Sequence, residues 1–249
     1  MLESIFNRLD RVQKISPRFM GEVLPAPIAV KIELSPRCNY RCAYCALMDR
    51  NGDSPKKDMD WDLFKKITAD MREIGVEEIG LFFIGESFMN PSLLINAIRY
   101  LKKDLEFPYV FLTSNAAMAF PNKVAECMKA GLDSLKWSCN AADNTQFEKM
   151  MGVSAANLNM AKNNIRDAYN IRKANGFSTK LYASSIMYDE KQPIRMKPML
   201  DESILPFVDQ HYWLPLYTMA TAGNRESGLG MVPVAGNPGR YDDPVAPIP

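Results

Sequence analysis

The sequence predicts an α/β architecture built on a parallel sheet, and three observations lead there. Apolar extended runs alternate with helix-period stripes through six strands. One run, Ile79–Ile84, is almost continuously apolar, as a strand covered on both faces requires. Small polar side chains recur at the carboxyl end of otherwise apolar strands.

Leu2, Ile5, Phe6, Leu9 and Val12 recur at helical spacing, so residues 2–13 read as an amphipathic helix packed on the main body. Ser16–Pro27, with three prolines, joins it to a first strand, Ile28–Leu34, in which Ile28, Val30, Ile32 and Leu34 alternate. Asp60 caps a helix over Trp61–Ile74 whose Phe64, Ile67, Met71 and Ile74 share a face, and Gly75 stops it. Ile79–Ile84 is the second strand. Pro91 opens a helix carrying Leu94, Ala97, Ile98 and Leu101. The third strand, Tyr109–Thr113, precedes a helix over Pro121–Ala130, and Ser134–Cys139 is the fourth. Ala156–Asn175 is a longer helix with Leu158, Ala161, Ile165 and Ala168 on one face. Thr179–Ile186, a short helical piece at Met199–Leu205 and a sixth strand at Val208–Leu214 complete the alternation. Periodicity leaves a doubly wound sheet and a full or partial (β/α) barrel both open. Either gathers functional groups at the carboxyl ends of its strands.

Past Leu216 the character changes. Residues 218–249 hold five glycines and five prolines without an apolar period, so they read as an irregular tail or linker. A linker leading nowhere suggests a further C-terminal part; a tail wrapping the domain is the alternative. The expected division is 1–27 (helix and connector), 28–217 (the α/β unit) and 218–249 (the tail).

The chain of 249 residues can bury one sizeable core. Thirty basic against 29 acidic residues leave no electrostatic footprint for nucleic acid or membrane, and neither is expected as a partner. Five cysteines are an odd number, three of them clustered, which suits a metal site in a reducing compartment better than a disulfide framework. Glu3 stands where a signal peptide needs basic charge, and no apolar stretch approaches a membrane span. A cytoplasmic enzyme is the expectation.

The chemistry concentrates in Cys38-Asn39-Tyr40-Arg41-Cys42-Ala43-Tyr44-Cys45, directly after the first strand. Tight cysteine runs hold iron–sulfur clusters, and three thiolates leave one iron of a 4Fe–4S cube open to a ligand. A structural zinc site completed from afar is the competing reading. His211 is the only histidine, and Cys127 and Cys139 fall in a helix and a strand, where small buried packing residues are expected. Arg37 and Arg41 flank the run, placed to offset an anionic cluster or to sit solvated on the loop. The other strand ends carry Gly85-Glu86-Ser87, Thr113-Ser114-Asn115, Ser138-Cys139-Asn140, Ser184-Ser185 and Trp213–Tyr217.

The CxxxCxxC spacing after a strand resembles the radical S-adenosylmethionine (radical SAM) enzymes. Their glycine–glycine–glutamate turn is similar to Ile84-Gly85-Glu86-Ser87, which keeps one glycine and the acid but lacks the first glycine. Their threonine–asparagine–glycine turn resembles Ser114-Asn115-Ala116. The resemblance spans residues 28–217 and implies a partial (β/α)6 TIM-like barrel of parallel strands. It implies a 4Fe–4S cluster on Cys38, Cys42 and Cys45, with SAM contacted by Gly85, Glu86, Ser87, Asn115, Ser138 and Asn140 and its adenine flanked by Tyr44. Reductive cleavage of SAM to a 5′-deoxyadenosyl radical would then abstract hydrogen from a peptide, sugar or other small molecule, with an electron donor such as flavodoxin or ferredoxin. The approach Tyr241–Pro249 resembles the entry to a SPASM or twitch extension, whose auxiliary-cluster cysteines this sequence lacks. No further catalytic residue is assigned. Two other readings stay beside this one, a non-catalytic metal-binding domain and a SAM-binding fragment that needs a partner for turnover.

Overall fold

A computed structural model describes Ile5, Asn7 and residues 22–45 and 57–216. Apart from Ile5 and Asn7, the helix expected over residues 2–13 lies outside the described residues, as do Tyr217 and the tail 218–249. The Ile5 backbone N–H donates to Gln210 Oε1 at 3.0 Å.

Six strands form one sheet: β1 (Ala29–Lys31), β2 (Glu78–Gly80), β3 (Tyr109–Ser114), β4 (Ser134–Ser138), β5 (Lys180–Met187) and β6 (Gln210–Pro215). Each pairs in parallel with the next along the chain. A doubly wound sheet reverses direction at a switch point; this order never reverses, so the sheet winds one way as a barrel does. Among the described residues β6 does not pair with β1, and the barrel is partial.

The helices are α1 (Trp61–Glu73), α2 (Pro91–Arg99), α3 (Pro121–Ala130), α4 (Asn144–Met151), α5 (Ala156–Asn175) and α6 (Gln192–Ser203). Asp60 accepts from Leu63 N–H and Asn90 from Leu93 N–H, which caps α1 and α2. Their apolar faces meet the outward side chains of the sheet. Leu94, Ile98, Val124, Ile165 and Ala168 join Ile79, Val110, Leu112, Leu135 and Leu181 in one buried cluster. Each fully buried Leu or Ile there contributes about 1.5–3 kcal/mol. Alternate residues point inward, so the same strands that build the core also furnish a cavity. No helix of the described residues is long and apolar enough to cross a membrane.

Four expectations are corrected. β1 and β2 hold three residues each, shorter than Ile28–Leu34 and Ile79–Ile84. The chain leaves the ladder after Leu81, whose N–H still donates to the Phe111 carbonyl at 2.9 Å. Beyond it the Glu33 carboxylate replaces a strand partner, accepting from Ile84 and Gly85 N–H at 2.9 and 2.7 Å. Phe83 is consequently 62% exposed rather than buried on both faces. The helix α4 was not anticipated, although Asp143 caps it by accepting from Gln146 N–H while Gln146 Oε1 accepts from Ala142 N–H. Finally, α6 begins at Gln192, not Met199, because Pro193 fits a first helical turn and Pro198 is accommodated inside.

Candidate functional site

A cavity of about 230 Å³ opens at the carboxyl ends of the strands, lined in part by all three thiols of the cysteine run. The loop that carries them is strapped at two places. Arg41 and Ala43 N–H donate to the carbonyls of Met151 and Met150 at 2.9 and 2.8 Å, tying the loop to the end of α4. Gly152, at φ 66°, ends that helix where a Cβ would stand 2.6 Å from the Arg41 carbonyl. On the other side Glu86 N–H donates to the Arg37 carbonyl at 2.8 Å. A Cβ on Gly85 would stand 2.1 Å from the Ser35 carbonyl, so only glycine lets the cysteine loop pass. Gly85 therefore admits the chain's own backbone, beyond any approach of a ligand.

Cys38, Cys42 and Cys45 form no disulfide and line the cavity, each partly exposed. Burial pushes the thiols up, Cys38 to about 11 and Cys42 to about 12. Among the described residues no three His, Cys, Asp or Glu side chains converge as one metal ion requires. All three thiols line the same cavity, and thiolates are the ligands that hold iron–sulfur clusters.

Beside them, Glu86 is 3% exposed. Its Oε1 accepts from Phe88 N–H at 3.0 Å and Ser114 Oγ at 2.8 Å, and its Oε2 from Asn115 N–H at 2.8 Å. Burial pushes this carboxyl up against those three bonds, which favour its ionised form. Oε2 keeps capacity for one more donor from the cavity. Asn115 donates to Asn39 Oδ1 at 2.8 Å, so the third strand end holds the cysteine loop as well. Ala116, which stands where the similar turn carries glycine, is left-handed at φ 68°.

Asn140 donates to the Tyr44 hydroxyl at 2.9 Å and accepts from Ile186 N–H at 3.1 Å, which joins two of the expected residues directly. Ser138 lines the cavity, and its hydroxyl has no protein partner among the described residues. Ser87 departs from expectation. It is 4% exposed, and its hydroxyl donates to the Leu81 carbonyl at 2.8 Å, so it braces the turn and does not line the cavity. Ser185 likewise turns away, toward the Cys139 carbonyl and His211 Nε2.

Arg37 is ion-paired with Asp58 at 2.6 Å outside the cavity lining, and Arg41 is exposed. Neither lines the cavity. Cys127 is fully buried, and Cys139 packs against the core rather than the main cavity. Burial lowers His211 to about 4, a neutral packing histidine. Lys136 is the cavity residue that sequence reasoning missed. Its signal was present: in Ser134–Ser138 it sits two residues before Ser138, hence on the same face.

Residues 32–182 match the sequence profile of the Radical SAM superfamily. A probable GTP 3′,8-cyclase of Methanococcus maripaludis is 29% identical over 142 residues, 57% of this chain and 45% of that protein. The PqqA peptide cyclase of Bradyrhizobium diazoefficiens is 25% identical over 142 residues, 56% of this chain and 35% of its own. The chain thus spans less than half the length of these relatives. Among solved structures, methylornithine synthase superposes with a TM-score of 0.60 at 14% identity, covering 90% of this chain and 65% of that one. Streptococcus suis SuiB bound to its precursor peptide SuiA gives 0.58 at 18% identity, covering 84% and 42%. These two likenesses concern the fold.

Proposed function

The chain belongs to the radical SAM superfamily, and from that membership we propose that it removes a hydrogen atom from a peptide, sugar or other small molecule, using a cluster on Cys38, Cys42 and Cys45. Members of the family bind a 4Fe–4S cluster and SAM. When bound, the two supply one-electron cleavage of SAM to methionine and a 5′-deoxyadenosyl radical.

The chain's residues hold and orient. The backbone straps from Met150, Met151 and Arg37 fix the thiol loop. Glu86, rigid in its three hydrogen bonds, would offer its remaining lone-pair capacity to the methionyl ammonium. Ser138 and Asn140 would hold the ribose, and Tyr44, held by Asn140, would flank the adenine. Phe82, Ile186 and Leu214 line the same cavity and keep water from the radical. A small electron carrier such as flavodoxin or ferredoxin supplies the electron.

The observation that carries this reading is the single cavity shared by three thiols, Glu86, Ser138 and Asn140 at the carboxyl mouth of a one-way parallel sheet. The non-catalytic zinc reading falls with family membership. A second reading is favoured by the chain's coverage of 45% and 35% of its relatives: the chain is the SAM-cleaving part of a longer protein or of a pair. Anaerobic reconstitution followed by a 5′-deoxyadenosine assay under reductant tests both. Cleavage without turnover of any added substrate marks the part. A fully loaded cluster that forms no 5′-deoxyadenosine overturns the enzyme reading.

A further inference from the structure

Lys136 projects from β4 into the barrel, between the register positions of Thr113 and Tyr182. It sits two strand positions before Ser138, which sets it about 6–7 Å deeper than the proposed SAM contacts. Its ammonium lies 5.9 Å from the Tyr212 ring centroid. Among the described residues it has neither an ion pair nor a hydrogen bond. Glu86, the acid in the cavity lining, is engaged on its own three donors, and Glu33, outside the lining, on Ile84 and Gly85 N–H. A second cation, Lys31, stands over the Phe82 ring at 5.5 Å on β1. Burial and the Lys136 charge hold Lys31 below the ordinary lysine range, and burial lowers Lys136 to about 8. Lys136 therefore remains mostly charged at pH 7.

A desolvated ammonium without a counter-ion is costly, and apolar walls of Phe82, Ile186 and Leu214 strengthen any charge that meets it. We propose that Lys136 is the substrate-selecting residue of this cavity and that the substrate carries an anionic group, carboxylate or phosphoryl, which pairs with it. The hydroxyl of Thr113, which also lines the cavity, supplies a neighbouring donor. The inference depends on the radical SAM reading for the fate of the substrate, whereas the pairing itself is a binding event.

Reductive methylation of the anaerobically reconstituted protein with 13C-formaldehyde gives each lysine an NMR signal, and Lys136→Arg identifies that of Lys136 by its disappearance. With SAM present, sodium phosphate and sodium acetate are then titrated at constant ionic strength. The expected result is a saturable shift of the Lys136 signal and a rise in its apparent pKa, with exposed Lys66 unmoved. Response to phosphate alone identifies a phosphoryl group, to acetate alone a carboxylate, and to both a site for either. A signal indifferent to both anions overturns the proposal. So does a signal that SAM shifts by itself and then shields from both, since the lysine would serve SAM. Lys136→Met should leave the Kd for SAM within twofold; a tenfold weakening also overturns the assignment. The radical SAM reading fails separately, through absent 5′-deoxyadenosine from the unmodified protein.

Discussion

Ala116 turns the chain at φ 68° while only 1% exposed, a conformation that a β-branched side chain does not tolerate. Ala116→Val is expected to destabilise by about 3 kcal/mol, and Ala116→Gly to stay within about 1 kcal/mol because relieved strain offsets lost packing and added chain entropy. Urea midpoints of the two variants check the contrast. Among the cysteines, Cys42→Ala should reduce bound iron to background after reconstitution and abolish 5′-deoxyadenosine formation. Cys127→Ala should keep a full iron load, since its thiol is buried in the core away from the cavity. His211 falls from an ordinary 6.5 to about 4 because burial disfavours its charged form. The unfolded chain binds the proton first as pH falls, so stability is complete above pH 6.5 and declines toward pH 4, by no more than about 3 kcal/mol. As the only histidine it is cleanly assigned. Stability against pH for the wild type and His211→Asn should diverge in that window; parallel curves would refute the cause.

At the scale of elements, the thiol loop depends on two neighbours distant in sequence, the turn after β2 and the end of α4. Gly85→Ala forces a methyl to 2.1 Å from the Ser35 carbonyl, and Gly152→Ala to 2.6 Å from that of Arg41. Both should lose cluster while retaining all three cysteines, Gly85→Ala the more severely, with a stability cost of about 3 kcal/mol. Iron per chain and thermal unfolding, measured together, separate loop displacement from global unfolding. The cysteine run was legible because its three thiols lie within eight residues, and local spacing encodes local chemistry. The α4 strap was not: the cap at Asp143 marks a start, yet an eight-residue helix carries too few turns for a clear apolar period. Ser87 was misjudged for a related reason. A polar residue at a strand end faces either the ligand or the backbone, and only the turn's geometry chooses.

For the molecule as a whole, an open series of parallel strands should be most stable at its centre. β3 and β4 have neighbours on both sides, while among the described residues β1 pairs only with β2, across three residues. Amide exchange should be slowest in β3 and β4 and fastest in β1 and the thiol loop. Loading the cluster should slow exchange in the loop and at the end of α4, and a chelator should reverse it. Uniform protection across the sheet would count against this gradient.

The sequence by itself determined the alternation of strand and helix, the cluster of three thiols and the end of the sheet where polar side chains gather. These follow from short-range periodicity and spacing, and a one-way winding keeps spatial order equal to chain order. Only the tertiary structure decided how the loop is held, which serine turns from the cavity and that Lys136 stands deeper within it. Each of those depends on register and on contacts between segments far apart in the chain, where no local pattern records the neighbour.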